Sequence, residues 1–311
     1  MSQSLGARDP ETPEPDWEIS SKDTVLPMHV PPDTHRAGSI HRLTRTVRLN
    51  ILQAQPPSDA VPRKGVNGEG GKPAMDGFGA HYEFEVRCEG EPNAETGYLI
   101  NIKEIDTAVR EGVVPLIVSA SVDGRSPIAL MPRLLAETSD RLPVGVASIA
   151  LRLTPSLMLE FFAAGFHHDS KETGMAEVIV RQMLEFSAAH RLHVPGLSDA
   201  ENKALFGKCN NPAGHGHNYR IEPAVAVNPD RPMTVDAIER ITDEVVIERF
   251  DHKHLNDQTE EFAADGGLNP SVENIARVCY RLLDRPIADA GGRLKAVTVW
   301  ETDRTSCTYP G

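Results

Sequence analysis

No paired cysteines, no basic run and no long apolar stretch occur among these 311 residues, and each gap removes a class of protein. Cys88, Cys209, Cys279 and Cys307 stand apart without any C-x-x-C spacing. That pattern excludes a small disulfide scaffold or a cysteine-rich zinc module, and it fits a reduced protein. A formal net charge of -13 argues against nucleic acid, whose phosphates need a concentrated basic surface. No segment reaches the ~18 consecutive apolar residues of a membrane span. The opening MSQSLGARDPETPEPDWEISS has neither the basic start nor the apolar core of a signal peptide. No nucleic-acid or membrane partner is expected, and the expected compartment is the cytoplasm.

The length allows two ordinary domains. Residues 1–38 are rich in Pro, Asp, Glu and Ser and read as a disordered arm. A Gly- and Pro-rich stretch, Gln53 to Gly79, separates two segments of strand-like alternation, TRTVRLNIL and HYEFEVRCEG. GEPNAETGY then reads as a hairpin turn, and Ile102, Ile105 and Val109 lie at helical spacing. Two strand-like runs flank Thr154-Pro155. The second half follows the same plan. MAEVIVRQMLEFSAAHRL and GHGHNYRIEPAVAV read as strands, a helix starts near Thr234, and another starts at Ser271 as N-cap, with Ile275, Val278, Cys279, Leu282 and Leu283 in one stripe. KAVTVWETDRTSCTY closes with two strands. The repeated order implies a tandem duplication: a first unit over 39–164, a boundary near Gly165 to Gly174, and a second unit over 175–311.

The chemistry concentrates in the second half. On a strand, residues two apart share a face, so His215 and His217 of GHGHNY can reach one ion together. If the preceding strand is antiparallel, His190 of FSAAHRL comes alongside. Three imidazoles around Zn²⁺ leave a fourth position for water or substrate, the arrangement of a catalytic site. His167, His168 and His193 carry no such pattern and read as surface or satisfied histidines.

Cys209 lies in a loop six residues before His215, where a nearby dication would favour a reactive thiolate; the alternative is an inert buried thiol. Cys279, on an apolar helical stripe, reads as core. Asp251 precedes His252 and could orient it as a proton shuttle, although charged residues at a helix end are commonly just solvated. Glu273 lies in a first helical turn, where the helix dipole alone favours a carboxylate. Glu301 follows the alternating strand AVTVW where an apolar residue belongs. It needs a partner, either Arg304 or a ring presenting two N–H donors.

FSAAHRLHVP, LFGKCNNPAGHGHNY, FDHKHLN, SVENIA and VWETD occur in that order between about Val178 and Tyr309. Together they resemble the 6-pyruvoyl-tetrahydropterin synthase family. The resemblance implies an α+β tunnelling fold, here two tandem units, each an antiparallel four-stranded sheet with two helices on one face. It also implies a homo-oligomer with active sites between units. It assigns His190, His215 and His217 to zinc, Cys209 to catalysis with Asp251 and His252, and Glu301 to anchoring the pterin ring, with Glu273 lining the pocket. The implied reaction converts 7,8-dihydroneopterin triphosphate to 6-pyruvoyl-tetrahydropterin, eliminating triphosphate; Arg191, Lys208, Arg220 and Lys253 are candidates to bind that anion.

Ala213 stands where many members have Asn, and the segment from Ile221 to Thr234 is short for the family. Related 6-carboxy-tetrahydropterin synthases of the queuosine pathway usually have a shorter Cys-to-His spacing, so five residues between Cys209 and His215 favour the pyruvoyl-type reaction. A non-catalytic pterin-binding protein is a third reading, opposed by the intact Cys209, Asp251 and His252. In the first half, aligning GFGAHY with GHGHNY puts Phe78 and Ala80 at ligand positions. Ile117 and Val118 oppose Asp251 and His252, and Leu153 opposes Glu301. That half is expected to be a structural unit without a metal site, its Gly-rich loop at Gly68 to Gly71 being a candidate gate.

Overall fold

Alternation of apolar and polar residues makes β1 (His41–Leu52) and β2 (Gly79–Gly90) half-buried strands, paired antiparallel with Val47 opposite Phe84 and Leu49 opposite Tyr82. The computed structural model describes residues 39–52, 70–75, 77–165 and 176–310. The arm at 1–38, most of the Gly- and Pro-rich stretch, the unit boundary and His167 and His168 lie outside the described residues.

After β2 the chain turns at residues 94–96 and enters α1 (Ile102–Ala108), where the Asn101 side chain accepts from Lys103 N. GEPNAETGY holds a tight turn closed by two backbone bonds, Asn93 N–H to the Tyr98 carbonyl and Gly97 N–H to the Asn93 carbonyl, but no strand follows it. β2 already pairs with β1 and β3, so the segment after it leads into a helix. α1 continues through a π-helical turn, Val109–Val113, into α2 (Val114–Val122), and α3 (Pro127–Arg141) follows. β3 (Gly145–Thr154) and β4 (Leu157–Phe162) complete the first half.

The second half begins with β5 (Val178–Gln182) and β6 (Leu184–His190). The alternation predicts one strand here; the structure breaks it at Met183, whose N–H is drawn to the Ser156 carbonyl. The two pieces pair with different stretches of the long β7 (His215–Val227). Between β6 and β7 lie α4 (Asp199–Phe206) and a 3₁₀ turn, Gly207–Asn210. α5 (Val235–Thr242), capped by Thr234, passes through a π turn, Asp243–Ile247, into α6 (Glu248–Phe250). β8 (Lys253–His254), α7 (Leu255–Gln258), α8 (Val272–Asp289), β9 (Arg293–Thr302) and β10 (Thr305–Tyr309) follow, with Ser271 capping α8.

The architecture is a mixed α+β fold. One sheet runs through both halves in the order β1-β2-β3-β4-β5-β7, with β6 and β9 also on β7, β10 on β9 and β8 on β6. The pairings are antiparallel apart from the short parallel β6–β8 contact. Antiparallel pairing of β4 with β5 carries the sheet from the first half of the chain into the second. Helices and inward-facing strand residues share one continuous apolar core from Val47 to Val299. The other face carries ion pairs such as Arg48–Glu83 and Arg181–Glu222. Among the described residues, no helix is long and apolar enough to cross a membrane.

Candidate metal centre

β6 and β7 bring the three histidines together by register alone. His190 pairs with His215 and Ala188 with His217, so all three imidazoles project to one face at the end of the strand pair. Below them Phe186 stacks on Tyr219 with ring centroids 5.0 Å apart, and Phe250 closes the apolar floor. His190 Nε2 and His215 Nε2 are 3.1 Å apart, and one ring nitrogen of each histidine falls within 4.8 Å of the others. These residues could hold a metal ion.

His190 is fully buried, and burial pushes its pKa down to about 4, so the ring is neutral and ready to ligate. Its Nδ1–H donates to the Pro270 carbonyl at 2.7 Å, which leaves the Nε2 lone pair facing the other rings. Burial also lowers the pKa of His215, with His217 adding to the effect. His217 Nε2 and His215 Nδ1 are buried without a hydrogen-bond partner among the described residues. An unpaired buried nitrogen is costly, and a cation between the rings would satisfy His217. The backbone before His215 requires glycine: Gly214 has φ +73, and a Cβ there would come within 2.5 Å of His254 Nε2.

Glu301, which follows Val297 and Val299 on the inward face of β9, reaches the same cluster. Its Oε1 lies 3.4 Å from His190 Nε2 and 3.7 Å from His217 Nε2. These rings, and not Arg304, are its described partners. Burial drives the Tyr219 hydroxyl far above its ordinary pKa, with the charges of Glu301 and Cys209 adding to the effect.

Cys209 is half-buried in the 3₁₀ turn, where its carbonyl accepts from Leu192 N and Asn210 donates to the Leu192 carbonyl. Asp251 and His252, between α6 and β8, sit beside a different part of β6. Ser187 N–H donates to Asp251 Oδ1 at 2.7 Å, and His252 N–H donates to the Ser187 carbonyl. Ser187 is three residues from His190, roughly 10 Å along the strand. No described contact within the chain joins Cys209 to Asp251 or His252. A shallow cleft of about 460 Å³ links His217 with His252, lined also by Ser187, Asn218 and Lys253. Glu273 stands in the first turn of α8, and its charge acts on Cys307 of β10, whose pKa is raised mainly by burial.

Of the candidate anion binders, Lys253 caps the Glu248 and Arg249 carbonyls and Arg220 pairs with Asp303. Arg191 Nε donates to the Asn210 carbonyl, and Lys208 is exposed. His193 receives the Asn210 amide, the satisfied state expected of it. Sequence reasoning passed over Tyr219, although its place two residues after His217 puts it on the ligand face; the Ser187 and Pro270 backbone contacts leave no mark in the letters.

The model of the 6-pyruvoyl tetrahydropterin synthase family matches residues 179–311. The 6-pyruvoyl tetrahydrobiopterin synthase of Homo sapiens is 36% identical over 136 residues, covering 42% of this chain and 90% of the relative. The chain belongs to the 6-pyruvoyl tetrahydropterin synthase family. The synthase of Drosophila melanogaster is 48% identical over 95 residues, 29% of this chain and 55% of the relative, and that of Dictyostelium discoideum 33% over 138, or 43% and 96%. A solved 6-pyruvoyl tetrahydropterin synthase of Caenorhabditis elegans, 35% identical, aligns with 44% of this chain and 97% of its own at a TM-score of 0.40. The segment matched by the synthase family model contains the histidine cluster, Cys209, Asp251, His252, Glu273 and Glu301.

Proposed function

We propose that the chain is a zinc-dependent lyase that converts 7,8-dihydroneopterin triphosphate to 6-pyruvoyl-tetrahydropterin with loss of triphosphate, acting in the cytoplasm. The observation that carries this reading is the convergence of His190, His215 and His217 beside Glu301, with Cys209 in the adjoining turn. The three histidines would hold zinc, which supplies polarisation of the substrate's side-chain oxygens when bound. Cys209 would remove a proton from a side-chain carbon of the substrate, and His252, oriented by Asp251, would return one. Glu301 accepts the N–H donors of the pterin ring, while Glu273 lines the pocket. Lys208 is the exposed basic group best placed to meet the triphosphate, since Lys253, Arg220 and Arg191 are engaged with the Arg249 carbonyl, Asp303 and the Asn210 carbonyl.

Because Cys209 and His252 do not meet within one chain, the reading places active sites between units of a homo-oligomer. It also takes the fold as two tandem tunnelling-fold units, 39–164 and 175–311. Supporting this, the order strand, strand, helix with a π turn, helix, strand, strand runs through both halves when β5 and β6 are taken as one strand and α4, the 3₁₀ turn, β8 and α7 of the second half as additions. The shift that superposes Val109–Val113 on Asp243–Ile247 carries Ile117 onto Asp251 and Val118 onto His252. The first unit is then a structural partner without a metal site: Phe78 is exposed, and Leu153 packs against the core where Glu301 faces the histidines. Of its candidate gate at Gly68 to Gly71, Gly68 and Glu69 lie outside the described residues, and Gly70 is held by Asn50.

The test is incubation of the purified chain with 7,8-dihydroneopterin triphosphate, measuring triphosphate release and product mass, with Cys209→Ala as control. Release of triphosphate with a 6-pyruvoyl product supports the reading. A 6-carboxy product would replace it with the sister reaction, and no turnover by zinc-loaded protein would leave a pterin-binding protein.

A further inference from the structure

Where the chain leaves β6, residues 191–195 and the loop between α7 and α8 line a second cavity of about 430 Å³, apart from the cleft beside His217. Three of its side chains are each anchored by one end. Arg191 Nε donates to the Asn210 carbonyl at 3.1 Å, and Asn269 Oδ1 accepts the His193 N–H at 3.1 Å. Asn210 Nδ2, which also donates to the Leu192 carbonyl, donates to His193 Nδ1, and that leaves the proton of the neutral ring on Nε2. The other ends are all donors: the terminal amino groups of Arg191, His193 Nε2–H and Asn269 Nδ2. None of these has a hydrogen-bond partner among the described residues, and none is a buried orphan, so solvent reaches each. A donor whose far end is already tied loses little freedom when a ligand arrives.

The rest of the lining suits the same ligand. Pro195, Pro212 and Leu268 supply walls without polar side chains. Asp257 is the one acidic group of the lining, and its Oδ2 turns to His254 Nδ1 at 3.0 Å. Backbone bonds from Gly267 to Ala263 and from Leu268 to Glu261 hold the loop wall, where a Cβ on Gly267 would come within 2.4 Å of Ala263 N. A guanidinium, an imidazole N–H and an amide around one cavity is the donor set of an oxyanion site, here in a chain of net charge -13.

We propose that this cavity binds a phosphate group, or a chain of them, through Arg191, His193 and Asn269. His254 belongs to the walls of both the cavity and the cleft beside His217. The same chemistry therefore has two sources: free phosphate, or the triphosphate of the substrate on the lyase reading.

Titration calorimetry of the full chain with inorganic phosphate and inorganic triphosphate, at one ionic strength, tests the proposal. N269D keeps the oxygen that accepts the His193 N–H and replaces the amide donor with negative charge. It is expected to weaken triphosphate binding at least about tenfold while melting as wild type does. R191K keeps the charge but loses the paired amino groups, and it should weaken binding as well. Dialysis against a chelator should leave the wild-type affinity unchanged. No measurable binding to wild type, wild-type affinity in both variants, or affinity that disappears with the metal would each overturn the cavity site. This measurement needs no turnover, so it stands or falls apart from the lyase reading. Where the chain does turn over 7,8-dihydroneopterin triphosphate, a KM raised in N269D by the calorimetric factor identifies the substrate's triphosphate as the occupant, and an unchanged KM identifies free phosphate.

Discussion

The Asp251 carboxylate holds His252 from the side: its Oδ2 accepts the His252 Nδ1–H at 2.6 Å while its Oδ1 accepts the Ser187 amide. The Ser187 bond and the His252 ring together hold the Asp251 pKa below its ordinary value. In the first half the corresponding helix runs on to Val122, whereas α6 ends at Phe250 and the chain turns along the edge of β6. His252 makes that turn at φ 56, the one positive φ among described non-glycine residues, and leaves its ring 83% exposed. A bulky residue in the left-handed region stores strain, and such strain collects at functional sites.

A glycine would adopt this conformation without strain. His252→Gly is therefore expected to stabilise the fold by up to about 1 kcal/mol while abolishing turnover. Urea denaturation and a triphosphate-release assay on the same preparation check both halves of the statement. A variant less stable than wild type would show that the turn is held by the imidazole and is not strained by it.

Removal of one imidazole should empty the metal centre. His215→Ala is expected to weaken zinc binding by more than about 100-fold, since even supporting groups of metal ligands contribute 10- to 100-fold. Free zinc at 100 times its dissociation constant should stabilise the wild-type chain by about 2.7 kcal/mol, and a chelator should reverse this. Metal content and thermal melts with and without chelator are the measurements, and a melt indifferent to zinc would contradict the site.

Much of this centre was legible because it depends on short-range rules. The H-x-H spacing fixes two ligands on one strand face, and Thr234 and Ser271 mark helix starts that the structure keeps. Other parts depend on distant contacts. α3 was hidden by Pro132 inside its own pattern, although Thr138 and Leu134 bury as helix neighbours should. The capping box of Ser198 and Glu201, by contrast, is a local signal that marks the start of α4. The break at Met183 follows from a bond to Ser156, and the parallel β8 follows from Asp251 reaching Ser187; neither appears in any local period. Continuity of the sheet through β4 and β5 is likewise a matter of register between segments that no spacing encodes.

The metal-free chain should lose stability in mild acid. His190 has a folded pKa of about 4 against an ordinary 6.5, because burial disfavours the charged ring. Between these values the unfolded chain binds more protons, so the stability present above about pH 6.5 is lost as pH falls toward about 4. A difference of that size corresponds to about 3 kcal/mol. Denaturant titrations of metal-free protein at several pH values should show this slope, and His190→Leu should flatten it. A wild-type stability that is level across this window would mean that the ring is not kept neutral by the fold.

Glu160 on β4 ties the two halves of the sheet, since Arg87 of β2 lies 3.5 Å from its Oε1 and Arg181 of β5 lies 3.4 Å from its Oε2. Its side chain is only 10% exposed, so breaking the bridge should cost more than the loss of an ordinary surface pair. The full 3–5 kcal/mol of an orphaned buried charge is not expected. Arg87 retains Glu85 at 2.9 Å and Arg181 retains Glu222 at 3.5 Å, so neither guanidinium is left alone. Glu160→Met, which fills a similar volume, should therefore destabilise the fold by about 1 kcal/mol. Glu85→Ala combined with it should cost more than the two changes separately, because Arg87 then loses both described carboxylates. A double-mutant cycle by urea denaturation measures the coupling, and strictly additive losses would show that the two carboxylates do not share the arginine.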